Sequence, residues 1–188
     1  MHEKTDEELA HEVQTGDKDA FGVLVVRFEP KISRYAKRFF YHQEDVLDVV
    51  QEVFLKAYIN IQSFDIKRKF SPWIYRIAHN EFINIMKKKK NERISFFDLD
   101  VIFPHLVAAE TTDREVITQE LKHMIDACLD TLDSRYREPI LLYYIEEMDY
   151  KEIADILHIP VSTVGVRLKR GKASLQRLMA FKDPLITL

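Results

Sequence analysis

Aromatic and basic side chains alternate in the segment FDIKRKFSPWIYRIAHNEFINIMKKKK. Phe64, Phe70, Trp73 and Tyr75 interleave there with Lys67, Arg68, Lys69 and Arg76. Aromatic faces stack on unpaired bases for roughly 1–3 kcal/mol each while cations follow the phosphates, so this mixture suits a single strand of nucleic acid. At helical spacing Arg76, Asn80, Asn84 and Lys87 share a polar face, and Ile74, Ile77, Ala78, Phe82 and Ile85 share the opposite one. Asparagine amides can pair with base edges. A plain aromatic core is the alternative, and for Phe82 and one or two other rings it is the stronger one. Phe64 and Phe70 favour a binding strip, because they precede the helix beside three consecutive basic residues.

A second constellation lies in DYKEIADILHIPVSTVGVRLKRGKASLQRL. A short helix with Ile153, Ala154 and Leu157 inward is followed by a turn at His158-Ile159-Pro160. A longer helix then places Val164, Leu168, Leu175 and Leu178 inward. The small Ala154 lets the two cross closely, which is helix-turn-helix spacing. With Val164 at the centre of the buried face, Ser162, Gly165, Val166, Lys169, Arg170 and Ala173 point outward, flanked by Thr163 and Arg167. Short hydroxyl side chains followed by Arg and Lys suit a helix that enters the major groove by its N-terminus. Gly165 costs about 1 kcal/mol in a helix and fits a close approach to the DNA backbone. A helical hairpin with a basic surface is the bland alternative.

Charge is distributed to match. Residues 67–93 hold nine basic and two acidic side chains, net +7, and residues 164–182 hold six basic and none acidic. Residues 1–66 are net −5 and residues 94–113 net −4, so the whole chain stays at −3. Two compact positive segments on an acidic chain favour focused contact with polyanion and discourage indiscriminate coating of DNA.

Other chemistry is poorly supported. The single cysteine, Cys128, excludes an internal disulfide and any multi-cysteine zinc site. His123 and Cys128 are five apart, which fits an exposed histidine and a core cysteine better than a ligand pair. There is no nucleophile–base constellation, phosphate-cradling glycine loop or metal-ligand spacing, so neither an enzyme nor a cofactor is expected. The acidic start MHEKTDEELAHEV does not resemble a secretory signal, and no apolar run approaches the roughly 18–20 residues of a membrane span, so a cytoplasmic protein is expected.

The elements that must position these residues read as helix throughout. Four glycines and six prolines leave few tight turns, against a many-stranded β fold. Thr5 and Glu8 have capping-box spacing, with Gly16 at the far end. A second helix is expected from Asp19 to Phe28, stopped by Pro30, and a third carries Ile32, Tyr35, Ala36 and Phe39. A fourth, Glu44 to about Ile61, stripes Val46, Val49, Val50, Val53, Ala57 and Ile61 on one face and Asp45, Asp48, Gln51, Glu52, Leu55 and Ile59 on the other. A fifth opens at Ser71-Pro72 and ends in Lys87–Lys90. Residues 92–113 break the periodicity, and a stretch of about 20 residues without it argues for a linker between two domains. At its end Thr112 with Glu115, and further on Asp149 with Glu152, have capping-box spacing. The first of these helices carries Ile117, Leu121, Met124, Cys128 and Leu132. Near 135–146, Pro139 predicts a late start or a kink if Ser134 is the cap.

Two blocks of this sequence resemble a known family. DVLDVVQEVFLKAYINIQSFDIKRKFSPWIYRIAHN is similar to region 2, and SRYREPILLYYIEEMDYKEIADILHIPVSTVGVRL to region 4, of RNA polymerase sigma factors of the extracytoplasmic-function class, group 4 of the sigma-70 type. The resemblance implies an all-α fold of two small helical domains, region 2 over 1–91 and region 4 over 114–188, joined by the acidic linker 92–113. It implies that Asp45, Asp48, Gln51, Glu52 and Leu55 dock on the coiled-coil clamp helices of core RNA polymerase. Phe64, Lys69, Phe70, Trp73, Arg76, Asn80 and Asn84 would bind the minus-ten element and capture a flipped base from the melted strand. Ser162, Thr163, Val166, Arg167, Lys169 and Arg170 would read the minus-thirty-five element as duplex. An anti-sigma factor, often membrane-anchored, is the implied inhibitor. Three positions depart from the family's habit: Asp133 where proline is usual, His158 where glycine is common, and Gly165 where lysine or arginine is common. A conventional helix-turn-helix regulator, binding duplex operators without polymerase, is the alternative; it has no need of the 64–76 strip. An adaptor using helix faces only is a third.

Overall fold

The computed structural model describes residues 4–40, 42–93 and 124–182, with side chains described over 4–40, 42–88 and 124–180. Among the described residues every regular element is helical: α1 (Asp6–Gln14), α2 (Lys18–Ala36), α3 (Gln43–Asn60), a 3-10 turn (Ile61–Ser63), α4 (Phe70–Arg93), α5 (124–131), α6 (Ser134–Ile140), a π turn (Leu141–Ile145), α7 (Tyr150–Leu157) and α8 (Val161–Lys182). The chain divides into two compact helical units, one built on α1–α4 and the other on α5, α6, α8 and the start of α7.

In the first unit, α1 begins on the expected capping box. Thr5 Oγ1 accepts from the Glu8 amide (3.2 Å) and Glu8 Oε2 from the Thr5 amide (2.8 Å). It ends on Gly16 at φ +110°, with the Gly16 amide bonded to the Val13 carbonyl and the Asp17 amide to that of Glu12. A left-handed residue closing these two bonds favours glycine. Asp17 then caps α2 through the Asp19 and Ala20 amides.

Pro30 does not stop α2, which runs unbroken to Ala36, so the expected second and third helices are one. Pro30 lacks an N–H for the carbonyl of Val26. Both residues are exposed, Val26 at 75%, so the orphaned carbonyl lies on the solvent side. Leu24, Phe28, Ile32 and Tyr35 are buried on both sides of the proline, and their burial outweighs its cost.

α3 buries the predicted stripe of Val46, Val49, Val50, Val53 and Ala57, with Ile61 following in the 3-10 turn. β-Branched valines are indifferent helix formers, so α3 draws its stability from this buried face.

In the second unit, α5 buries Cys128 and Leu129, as expected of a core cysteine. The segment from 94 to 123, with most of the linker, the Thr112–Glu115 box and His123, lies outside the described residues. α6 is capped by Asp133, not Ser134: its Oδ1 accepts from the Arg135 amide at 2.9 Å. The Arg135 guanidinium bonds Asp133 Oδ2 at 2.7 Å, and this pairing holds the carboxyl below its ordinary range. Pro139 is carried inside α6, and the ladder widens into the π turn two residues later, where the Glu146 amide reaches the Leu141 carbonyl.

α7 opens on the Asp149–Glu152 capping box. It closes at His158, φ +52°, with the Ile159 amide donating to the Ala154 carbonyl. Histidine is among the residues that tolerate this left-handed geometry, which accounts for His158 at a turn where glycine is common. α8 buries Val164, Leu168 and Met179, with Leu175 and Leu178 half-buried. Gly171 is also buried. A Cβ there would lie 2.7 Å from Ile140 Cδ1 and 3.3 Å from the Tyr136 carbonyl, so glycine is what lets α8 cross α6 this closely.

Candidate nucleic-acid interface

The basic loop between the 3-10 turn and α4 is fixed at both ends by α1. Gln14 Nε2 donates to the carbonyls of Ile61 and Phe64, both at 2.8 Å. Glu7 Oε1 accepts from the amide of Phe70, the first residue of α4, at 2.9 Å. Inside the loop Asp65 Oδ1 accepts from the Lys67 amide (3.0 Å), an Asx turn that aims Lys67, Arg68 and Lys69 outward. All three are exposed. Neither Glu7 nor Gln14 stood out from the sequence, because each acts on a partner more than 45 residues away.

The aromatics of the strip face the other way. Phe70 is fully buried, Phe64 is 4% exposed and Trp73 9%. Their ring centroids lie 5.3–5.4 Å apart, and Phe28 of α2 meets Phe70 edge-on at 5.2 Å. The expectation that Phe64, Phe70 and Trp73 offer faces to unpaired bases is therefore corrected: as placed, they form the floor beneath the loop. Three large rings gain more by leaving water together than by staying exposed, and the cations cannot follow them inward without a partner.

Arg76, Asn80 and Asn84 do fall on one face of α4, with Arg76 half-buried and both asparagines exposed; Lys87 continues that face. Beneath it lie two buried polar residues that the sequence did not single out. His79 Nδ1 is 3.1 Å from the hydroxyl of Tyr35, and burial pushes its pKa down to about 4, so the imidazole is neutral. Glu81 is hydrogen-bonded by Lys56 of α3, which also lies 3.6 Å from Glu52; the Glu81 bond holds the Lys56 ammonium above its ordinary range.

The outer face of α3 is as expected. Asp48, Gln51 and Leu55 are exposed, and Asp45 and Glu52 half-buried. Leu47, missed from the sequence, extends it: Leu47, Leu55 and Ile59 are 46%, 53% and 66% exposed at four-residue multiples, with Gln51 between. Exposed aliphatics in register beside carboxylates form a stripe that the first unit itself does not cover.

In the second unit α8 presents Ser162, Val166, Lys169 and Arg170 to solvent, with Thr163 and Arg167 half-buried on the flanks. Glu138 of α6 lies near Arg137 and Arg167; burial pushes its carboxyl up to about 7, while the two guanidinium groups pull the other way. Gly165 is not open to a DNA backbone as expected. The ring of Tyr150 lies over it, 3.4 Å from where a Cβ would sit. Among the described residues no group of His, Cys, Asp and Glu could hold a metal ion, and no helix is long and apolar enough to cross a membrane.

Known proteins share this arrangement. The family profile for sigma-70 region 2 matches residues 24–92 and that for sigma-70 region 4 matches residues 122–175. The ECF RNA polymerase sigma factor SigW of Bacillus subtilis (strain 168) is 37% identical over 174 residues, which cover 88% of this chain and 92% of that protein. Among solved structures, CnrH in complex with the cytosolic domain of CnrY is 28% identical with a TM-score of 0.67, covering 96% of this chain and all of that one. The sigma factor RpoE in complex with the anti-sigma factor NepR, from Bartonella quintana, shares the fold at 22% identity and the same TM-score, over 85% of this chain and 96% of that one. Two helical units, each presenting a basic face, thus coincide with two family regions in the right order: the chain belongs to the extracytoplasmic-function group of the sigma-70 family, non-catalytic sigma factors that direct RNA polymerase to promoters and start transcription there.

Proposed function

We propose a division of labour within this sigma factor. The outer face of α3, Asp45, Asp48, Gln51, Glu52 and Leu55 with Leu47 and Ile59, docks on the coiled-coil clamp helices of the polymerase's largest subunit. The loop cations with Arg76, Asn80 and Asn84 hold the melted minus-ten strand, and Phe64, Phe70 and Trp73 support that loop from beneath. Extruding a base costs a few kcal/mol, offset by contacts to the freed strand, so no catalytic residue is needed. Ser162, Thr163, Val166, Arg167, Lys169 and Arg170 read the minus-thirty-five duplex. Region 2 is assigned to 1–91 and region 4 to 114–188. The acidic linker 92–113 would pass through the polymerase near the active site and RNA exit channel, where negative charge avoids trapping nucleic acid.

One observation carries this reading: the 67–69 loop with α4 and the outer face of α8 each present a run of exposed cations, while α3 keeps an acidic and aliphatic face. An operator-binding regulator has a use for the α8 surface only. Run-off transcription with this chain, core polymerase and a promoter library tests it. Specific transcripts are expected, and Lys69→Ala or Arg76→Ala should weaken initiation more on closed duplex than on a pre-melted template. Silence at permissive salt across the library would overturn it.

An anti-sigma factor is the expected regulator, a membrane-anchored one included. The CnrH relative was solved with the cytosolic domain of CnrY and the RpoE relative with the anti-sigma factor NepR, which supports such a partner here.

A further inference from the structure

We propose that Tyr150 belongs to the duplex-contacting surface of α8, where it donates its phenol to a DNA phosphate in the place of the side chain that Gly165 lacks. This rests on the minus-thirty-five reading of α8 given above. Gly165 leaves a gap in the reading face, with Ser162 one turn before it and Lys169 one turn after. Tyr150, the first residue of α7, fills that gap. Its Cε2 is 3.4 Å from the point a residue-165 Cβ would occupy and its Cδ2 is 4.0 Å away. The Cε2–Cδ2 edge of the ring therefore lies over Gly165, and the hydroxyl stands one carbon beyond Cε2.

The ring is 41% exposed, and its hydroxyl makes no hydrogen bond among the described residues. It is also held in place. Tyr143 packs against it edge-on at 5.5 Å, and Tyr144 packs against Tyr143 at 4.9 Å. A donor held beside the reading helix, at the position between Ser162 and Lys169 that Gly165 leaves without a side chain, can meet a phosphate oxygen. Where a lysine or arginine at 165 would bring a positive charge, this chain brings a neutral donor from the neighbouring helix.

That difference gives the test its signature. Cations release condensed counterions on binding, so each one steepens the salt dependence of affinity; a neutral hydroxyl does not. Holoenzyme assembled from core polymerase and the full chain is titrated with intact promoter duplex by fluorescence anisotropy, from low to moderate salt. Tyr150→Phe, which keeps the packing on Gly165, is expected to weaken binding about tenfold, as loss of a hydrogen bond to a charged group would. The slope of log affinity against log salt should stay unchanged. Lys169→Ala should weaken binding and lower that slope by about one. If Tyr150→Phe binds like the native chain while Lys169→Ala weakens, the phenol only packs; the proposal is overturned and the reading of α8 stands. If Arg167→Ala, Lys169→Ala and Arg170→Ala are all without effect, the duplex reading of α8 falls and Tyr150 falls with it.

Discussion

The two basic surfaces are built on opposite plans. On α8 the helix itself is the surface: its inner positions, Val164, Leu168 and Gly171, are buried, and its outer ones, Ser162, Val166, Lys169 and Arg170, are exposed. At 64–76 the cations ride on a loop whose shape comes from elsewhere, from the aromatic cluster beneath and from Glu7 and Gln14 of α1. A regular helix suits a regular duplex groove, and an irregular loop on a rigid floor suits a strand without helical repeat. The stability of the loop surface should therefore depend on residues that never meet nucleic acid, and that of the α8 surface on the spacing of α8 from its neighbours.

The hardest blow to this contrast would come from Phe70→Ala. With the ring fully buried at the centre of the cluster, the substitution should cost about 3–5 kcal/mol. Trp73 is the only tryptophan, so its fluorescence in urea reports on the first unit alone. An unchanged unfolding midpoint would mean that the aromatics are not the floor of the loop.

Next in size is a pH effect in the same unit. His79 is buried neutral with its pKa at about 4, against 6.5 for an ordinary histidine. Between those values the unfolded chain binds a proton that the folded one refuses, so stability is complete above about pH 6.5 and falls as pH drops towards 4, by up to roughly 3 kcal/mol. Comparing urea midpoints of the native chain and His79→Gln at pH 7.5 and 4.5 isolates this from carboxylate titration. The native chain should lose more.

Two smaller effects sharpen the other side. Gly171→Ala forces α8 away from Ile140 and the Tyr136 backbone and should destabilise the second unit by about 1–2 kcal/mol. Gly165→Ala meets only the Tyr150 ring, at an ordinary contact distance, and should stabilise it by up to about 1 kcal/mol. Opposite signs for the same substitution six residues apart, followed by circular dichroism, would show that packing and not propensity sets the spacing of α8.

Legibility in the sequence follows the same divide. Helical period alone placed Ser162, Val166, Lys169 and Arg170 outward and the α3 valines inward, because exposure repeats along a helix with fixed geometry. The three capping pairs rest on spacing too; the two that lie among the described residues are formed. The orientation of Phe64 and Phe70 was not legible: a loop has no period, and side-chain type cannot tell a ring that stacks on bases from one that packs on Phe28. Pro30 misled for a related reason, since a proline breaks a helix only where nothing offsets its missing donor. Tyr150 over Gly165 and the grip of α1 on the 61–70 segment depend on which helices meet, a matter the linear pattern does not encode.

That grip couples distant parts of the chain. Glu7 and Phe70 are 63 residues apart in sequence yet share one hydrogen bond. Whatever unwinds the nine residues of α1, whether a protease, a bound antagonist or a truncated start, would slacken the basic loop ahead of α4 without ever touching it.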